Sequence, residues 1–400
     1  MAATKKATTR PTTQLRELLK AKTFLHMPAV YDPIGARLVE QSGFEAAYVG
    51  GYVTGGSRAI TEPLLTMTDQ VETAGAVASS IDIPVLADAG AGFGEPLHCI
   101  RTIREFIRAG IAGVHVEDQL FPKRAHYHKY QVHVVPTDDF VMKIKYCCRT
   151  RDEIDPDFVV IARTDTCREH GLHEAAERIN RTVDAGADLG LLFPRNPKEA
   201  EQAPKVCRLP LVYVMSRGNR DGRPIFTRQE LEQMGYIGCI DALVVLLPAF
   251  AAIQKTLKEL RDTGTYTQMM EAGMVRARKA VEDLIRLEEY YAIQDEPVEE
   301  QIMQLQEFIQ VVCRKNAGPR RFTLDNILCN DADYQRASQS KALTVGNPLI
   351  AVRPPEGPCP TNVACGAGHD RRTLYITEAY SGTILRAHAD VPGWPMFSHT

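Results

Sequence analysis

What is missing narrows this sequence first. None of its ten cysteines forms a C-x-x-C pair, which argues against a zinc cluster or a thioredoxin-like redox motif. Most of them read as small buried hydrophobes in a reducing cytoplasm. No run approaches the roughly 18 apolar residues that a membrane span requires, and the basic, Thr-rich start, MAATKKATTRPTT, lacks an apolar segment of the secretory kind. Residues 1–13 are expected to be a disordered leader, with a targeting role as the second reading. A net charge of −3 offers no field that would gather nucleic acid. Neither nucleic acid nor a membrane is therefore expected as a partner, and the localisation expected is cytoplasmic. The glycines at 90, 92 and 94 follow G-x-G-x-G, whereas dinucleotide binding asks for G-x-G-x-x-G.

What is present is an ordinary soluble composition, 44% apolar and 24% charged, in a chain long enough for a barrel of roughly 250 residues with an appendage. From about Gln14 to Leu260, short β-branched runs alternate with amphipathic stretches, the mark of repeated βα units. Strands are predicted at Phe24 to Val30, Ala46 to Gly50, Val85 to Ala89, Gly113 to Glu117, Phe158 to Arg163, Leu189 to Phe193, Leu211 to Met215 and Ala242 to Leu246. Each is followed by a helical segment, for example Asp32 to Gln41, Leu97 to Ala109, Asp138 to Thr150, Glu174 to Ala185 and Thr227 to Met234. Eight such units predict an α/β fold, a closed (β/α)8 TIM barrel. Beyond it come extra C-terminal helices, Met269 to Asp295 and Val298 to Cys313, and a short β-rich tail with runs at Thr373 to Thr377 and Thr383 to Ala387. The domain reading is a barrel with terminal helices over 14–314 and a linker plus tail over 315–400.

Chemistry concentrates where apolar runs stop. Val114 to His128, VHVEDQLFPKRAHYH, delivers Glu117 and Asp118 to a strand end and continues into Lys123, Arg124, His126 and His128. Acids beside bases at the carboxyl end of a barrel strand suit a metal-assisted site for an anion; a solvated surface loop is the alternative. Val85 to Asp88 ends in a carboxylate ahead of the glycine run, and Val159 to Asp165 places Arg163 at a strand end. There it can grip a carboxylate bidentately or pair with a neighbouring acid. Tyr48, Gly50 and Gly51 offer a hydroxyl and backbone N–H groups for an oxyanion, or simply an aromatic packed beside a turn.

Together YDPIGARLVEQSGFEAAYVGG, ADAGAGFGE, HVEDQ followed by PKR, and ARTD resemble the isocitrate lyase and phosphoenolpyruvate mutase superfamily over residues 15–260, with 2-methylisocitrate and 2,3-dimethylmalate lyases as the nearest type. The resemblance implies a (β/α)8 barrel, a homodimer or homotetramer with an exchanged C-terminal helix, and Mg2+, with Mn2+ as the alternative ion. It also implies that Asp88 and Glu117 hold the metal and that Tyr48, Gly50, Gly51 and Arg163 bind the substrate. Arg163 would neutralise developing charge, and Lys123 and Arg124 would ride a loop that closes over the site. The sequence departs from that pattern at four places. Lys123-Arg124-Ala125-His126-Tyr127-His128 stands where lyases carry K-[KR]-C-G-H, so the cysteine acid is missing and His126 or His128 becomes the candidate replacement. Asp88-Ala89-Gly90 replaces D-x-D, Arg195 replaces a glutamate, and Val214 aligns with an asparagine. Residues 359–399 resemble one blade of the SMP-30/gluconolactonase propellers; one blade cannot build an axial metal site, so His369, Asp370 and Glu378 are expected to be structural.

The expected function is a Mg2+-dependent carbon-carbon lyase cleaving a small 2-hydroxy dicarboxylate through an enolate. The alternatives are an oxaloacetate-type decarboxylase or hydrolase, a phosphonomutase-like enzyme, and a catalytically degenerate scaffold.

Overall fold

A computed structural model describes residues 9–22, 24–124, 132–220, 222–266 and 271–294, and three short strands nearer the C-terminus. The chain divides into two compact units, Met1–Ile285 and Arg286–Thr400. The first is the expected barrel. Its strands are β1 Leu25–Pro28, β2 Ala47–Val49, β3 Val85–Asp88, β4 Gly113–Glu117, β5 Val159–Thr164, β6 Leu189–Leu192, β7 Leu211–Met215 and β8 Gly238–Asp241. They pair in parallel in the order β1-β8-β7-β6-β5-β4-β3-β2. Between β1 and β2 the ring is joined by a single parallel bridge, Ala29 to Tyr48, with the Val30 N–H donating to the Tyr48 carbonyl at 2.9 Å.

Period-two alternation sorts the strand residues into two apolar layers. Leu25, Met27, Leu86, Ile161, Leu191, Val212 and Ile240 fill the barrel interior. Val85, Ala87, Val114, Val116, Val160 and Tyr213 face outward into a second layer. The surrounding helices complete that outer layer with apolar residues at helical spacing. Helix α5, Pro96–Arg108, buries Cys99, Thr102, Ile103 and Phe106, and a fully buried Phe side chain contributes about 2 kcal/mol. Helix starts are capped as the local sequence requires. The Asp32 carboxylate accepts from the Gly35 N–H ahead of α2, Pro33–Gln41, and Thr66 with Asp69 forms a capping box on α4, Met67–Ala78.

Three expectations are corrected. The last strand lies at Gly238–Asp241, ahead of the predicted Ala242 to Leu246, whose final residue opens α10, Leu246–Thr263. Pairing with β1 decides this: a Cβ on Gly238 would sit 2.5 Å from the Leu25 carbonyl oxygen, so only glycine lets the strands close. The leader reading stops short, because α1, Pro11–Lys20, begins with proline in its first turn, buries Leu15, and is tied to the barrel by Arg16 Nη1 to Asp188 Oδ1 at 2.7 Å. Helix α7, Cys167–Arg181, starts seven residues before the predicted Glu174 and is broken at Gly171. Helices α3, Gly51–Ser57, and α4 follow β2, and α8, Pro197–Val206, follows β6, where the βα rhythm implies them. The remaining barrel helices are α6, Thr137–Ile154, and α9, Arg228–Met234.

Of the predicted C-terminal helices, the first appears as α11, Glu271–Leu284, while Val298 to Cys313 lies outside the described residues. In the second unit β9, Asn362–Cys365, β10, Thr373–Thr377, and β11, Ile384–His388, form an antiparallel sheet in the order β11-β10-β9.

Candidate active site

The alternation that builds the barrel also chooses which polar groups enter its mouth. On β4, Val114 and Val116 face the helices, so His115 and Glu117 face inward, as do Asp88 at the end of β3 and Arg163 near the end of β5. Glu117 is fully buried, Asp88 is 5% exposed and His115 2%. Their contacts are mutual. Arg163 Nη2 lies 3.0 Å from Glu117 Oε2, and Nη1 lies 3.7 Å from Asp88 Oδ2. Lys123 Nζ reaches back into the mouth, 3.0 Å from Glu117 Oε1, and also bonds Glu62. The Tyr48 hydroxyl is 2.6 Å from His115 Nε2, and His115 Nδ1 faces Asp88 Oδ1 at 3.6 Å.

Burial and charge set the protonation states. Burial opposes ionisation of Asp88, yet the surrounding cations and the Gly90 N–H, donating to Oδ1 at 2.7 Å, hold its carboxyl well below the usual range. The imidazole of His115 is driven by burial down to about 4 and is neutral at pH 7, so Arg163 and Lys123 are the cations that keep Asp88 ionised there. Burial pushes Glu117 up to about 7, against the pull of Arg163 and Lys123. For Lys123, burial is outweighed by Glu117 and Glu62, which hold the ammonium charged. The Tyr48 phenol is raised by burial and then by Asp88, and stays protonated.

Sequence reasoning placed Tyr48, Asp88, Glu117, Lys123 and Arg163 in one site, and the structure brings them together. It also revises several expected roles. The Gly51 N–H donates to Asp88 Oδ2 at 3.2 Å and so helps to position that acid. Gly50 caps the start of α3. Asp118 leaves the rim altogether: facing outward, it accepts from Thr164 Oγ1 at 2.5 Å, the Asp165 N–H at 3.0 Å and Arg178 Nη1 at 3.3 Å. Arg124 is exposed, and His126 and His128 lie outside the described residues. The neighbouring-acid alternative for Arg163 is realised in its bonds to Asp165, Nε to Oδ1 and Nη2 to Oδ2, each 3.0 Å.

Four site residues were missed. His115 and Asp165 stand two places from Glu117 and Arg163, and strict period-two reading would have put each pair on one face. Gln119 bonds Asp165. Glu62 comes from a 3-10 turn, Glu62–Leu64, and no local pattern points to it.

The phosphoenolpyruvate phosphomutase family model matches residues 15–261. The chain belongs to that family. A probable 2-methylisocitrate lyase 2 of Corynebacterium glutamicum is 34% identical over 282 residues, 70% of this chain and 89% of the relative. Among solved structures, oxaloacetate acetylhydrolase in complex with 3,3-difluorooxalacetate superposes with a TM-score of 0.67 at 31% identity, covering 72% of this chain and 97% of that one. A phosphonopyruvate hydrolase complex with oxalate and Mg++ has a TM-score of 0.62 at 25% identity, covering 71% and 98%.

For this family member the residues fit a divalent cation. Both Glu117 carboxylate oxygens are buried and accept no hydrogen bond, although two cations lie within 3.0 Å. Among the described residues no cluster of three His, Cys, Asp or Glu forms an all-protein cage. Mg2+ does not need one, since it keeps several waters and takes one or two carboxylates with substrate oxygens. The departures at 195 and 214 also acquire places. Arg195 is turned onto Glu199, its Nε 2.9 Å from Oε1. Val214 is half-buried against the interior cluster.

Proposed function

We propose that this protein is a Mg2+-dependent carbon-carbon lyase acting on a small 2-hydroxy di- or tricarboxylate of the dimethylmalate or methylisocitrate type. The observation that carries the reading is Arg163 lying beside Asp88 and Glu117 on the inward face of the mouth, with Lys123 folded over them. Cleavage of such a substrate removes the proton of the 2-hydroxyl and breaks the adjacent C–C bond. A 2-oxo acid is released, and the electron pair stays on the α-carbon of the second carboxylate as an enolate. Asp88 and Glu117 would hold the metal, which when bound supplies Lewis acidity toward the substrate oxygens. Arg163 is kept in place by Asp165 and presents fixed positive charge to the oxyanion, the kind of preorganised electrostatics that contributes most to such barriers. The Tyr48 hydroxyl, held 2.6 Å from neutral His115 Nε2, would hydrogen-bond the substrate oxygens. His126 and His128 remain the candidates for protonating the enolate.

The test is direct. The full-length protein with Mg2+ and a panel of 2-hydroxy diacids should release pyruvate or glyoxylate, stop with EDTA, and recover with added Mg2+. No metal-dependent turnover on any member would leave the scaffold reading. Similarity to the solved oxaloacetate acetylhydrolase supports a second reading, cleavage of oxaloacetate, in which the acetate or pyruvate enolate must likewise be protonated. Oxalate plus acetate, or pyruvate plus CO2, as products would establish it.

We further propose self-association through α10. Its exposed apolar residues, Phe250, Ile253, Leu257 and Leu260, recur at helical spacing, and none of its 18 residues is buried. A second copy covering this helix matches the expected homodimer or homotetramer with an exchanged helix.

A further inference from the structure

The acids of the mouth lie on the β3–β4 side, whereas the inward residues on β6 and β7, Leu191, Val212 and Val214, are apolar. Phe193, just beyond β6, continues that apolar wall. A cation nevertheless reaches it. Arg223, from the loop between β7 and α9, lays its guanidinium over the Phe193 ring, 4.6 Å from the centroid, and Arg163 lies over the same ring at 4.8 Å. One aromatic shelf thus joins a second arginine to the one facing the metal-binding acids.

The loop is shaped to deliver it. Asn219 Nδ2 donates to the Ser216 and Arg223 carbonyls at 3.0 Å, and the Arg223 N–H donates to Asn219 Oδ1 at 3.0 Å. Tyr213, on β7 itself, donates its hydroxyl to the Pro224 carbonyl at 2.7 Å.

We propose that Arg223 binds the substrate carboxylate remote from the bond that breaks, and so selects dicarboxylates over monocarboxylates. A guanidinium lying against an aromatic ring is partly desolvated and orientationally restricted, which suits in-plane bidentate recognition of a carboxylate. With Arg163 serving the reacting end, the two guanidiniums address the two ends of one diacid. The assignment rests on the proposed function.

Malate and lactate share the 2-hydroxy acid and differ by the remote carboxylate, so they separate the two ends. Isothermal titration calorimetry of the full-length protein with Mg2+ is expected to show malate bound at least about tenfold more tightly than lactate. In Arg223→Met that preference should fall to within about twofold, with lactate affinity unchanged, since only the remote contact is lost. Unchanged lactate binding also shows that the variant is folded. Full malate preference in Arg223→Met overturns the assignment, as does a wild type that binds lactate as tightly as malate; the functional reading survives both. A wild type that binds neither acid also overturns this assignment, while the functional reading stands or falls on metal-dependent turnover of the diacid panel.

Discussion

At Glu117 the site concentrates its opposing forces. The carboxylate is fully buried, touches Lys123 and Arg163, and is still pushed up to about 7 because burial outweighs both cations. Glu117→Gln keeps the size and removes the charge. Turnover should drop by at least about 10²-fold, the loss typical of one electrostatic contact to developing charge, while circular dichroism shows a folded chain; an unchanged kcat would remove Glu117 from the chemistry. Its neighbour Asp118 behaves differently, because the pleat turns it outward onto Thr164, Asp165 and Arg178. Asp118→Ala leaves Arg178 with one carboxylate, Glu174 at 3.0 Å, and Thr164 without its acceptor, and is expected to cost about 2 kcal/mol in urea denaturation. Two adjacent acids in one motif therefore divide, one facing into the mouth and one outward onto Arg178. The text of the motif, VHVEDQ, shows that both are there, and only strand parity assigns them.

Among the elements, the loop after β3 is the most demanding. Gly90 supplies the N–H that holds Asp88, and Gly92 has φ +75° with Cys99 so close that an added Cβ would lie 2.4 Å from Sγ. Gly110 has nearly the same φ, +79°, and nothing within 4 Å of its would-be Cβ. Gly110→Ala should cost about 1 kcal/mol for the left-handed backbone alone. Gly92→Ala should cost at least about 1 kcal/mol more through the clash with Cys99, and should also lower activity by displacing Asp88. Equal losses of stability in the two variants would show that α5 yields freely. Elements with strong local signals were legible beforehand: β4 and β7 fall at the predicted residues, with β-branched residues in alternation. The eighth strand was misplaced because its sequence, GCID, carries little β-preference and its position is set by the partner strand.

For the whole molecule, α10 poses the question of assembly. Its apolar face would be an aggregation liability on an isolated barrel. Size-exclusion chromatography with light scattering should give a dimer or larger species for the full chain, and Phe250→Asp with Leu257→Asp should shift it to monomer while the far-ultraviolet circular dichroism persists. A monomeric wild type would overturn the proposed assembly.

The sequence by itself determined the eight βα units, their parallel sheet and the acids and bases at the strand ends, because hydrophobic periodicity and strand-end charge are local properties that a linear pattern records. The tertiary structure decided which of those charges meet. Strand pairing put Asp88 and Glu117 within contact of Arg163 and brought in His115, while loops supplied Glu62 and the Gly51 N–H that holds an acid and laid Arg223 on Phe193. Each of these pairings spans separate strands or loops, and their geometry depends on stagger, pleat and closure, which exist only once the sheet is complete.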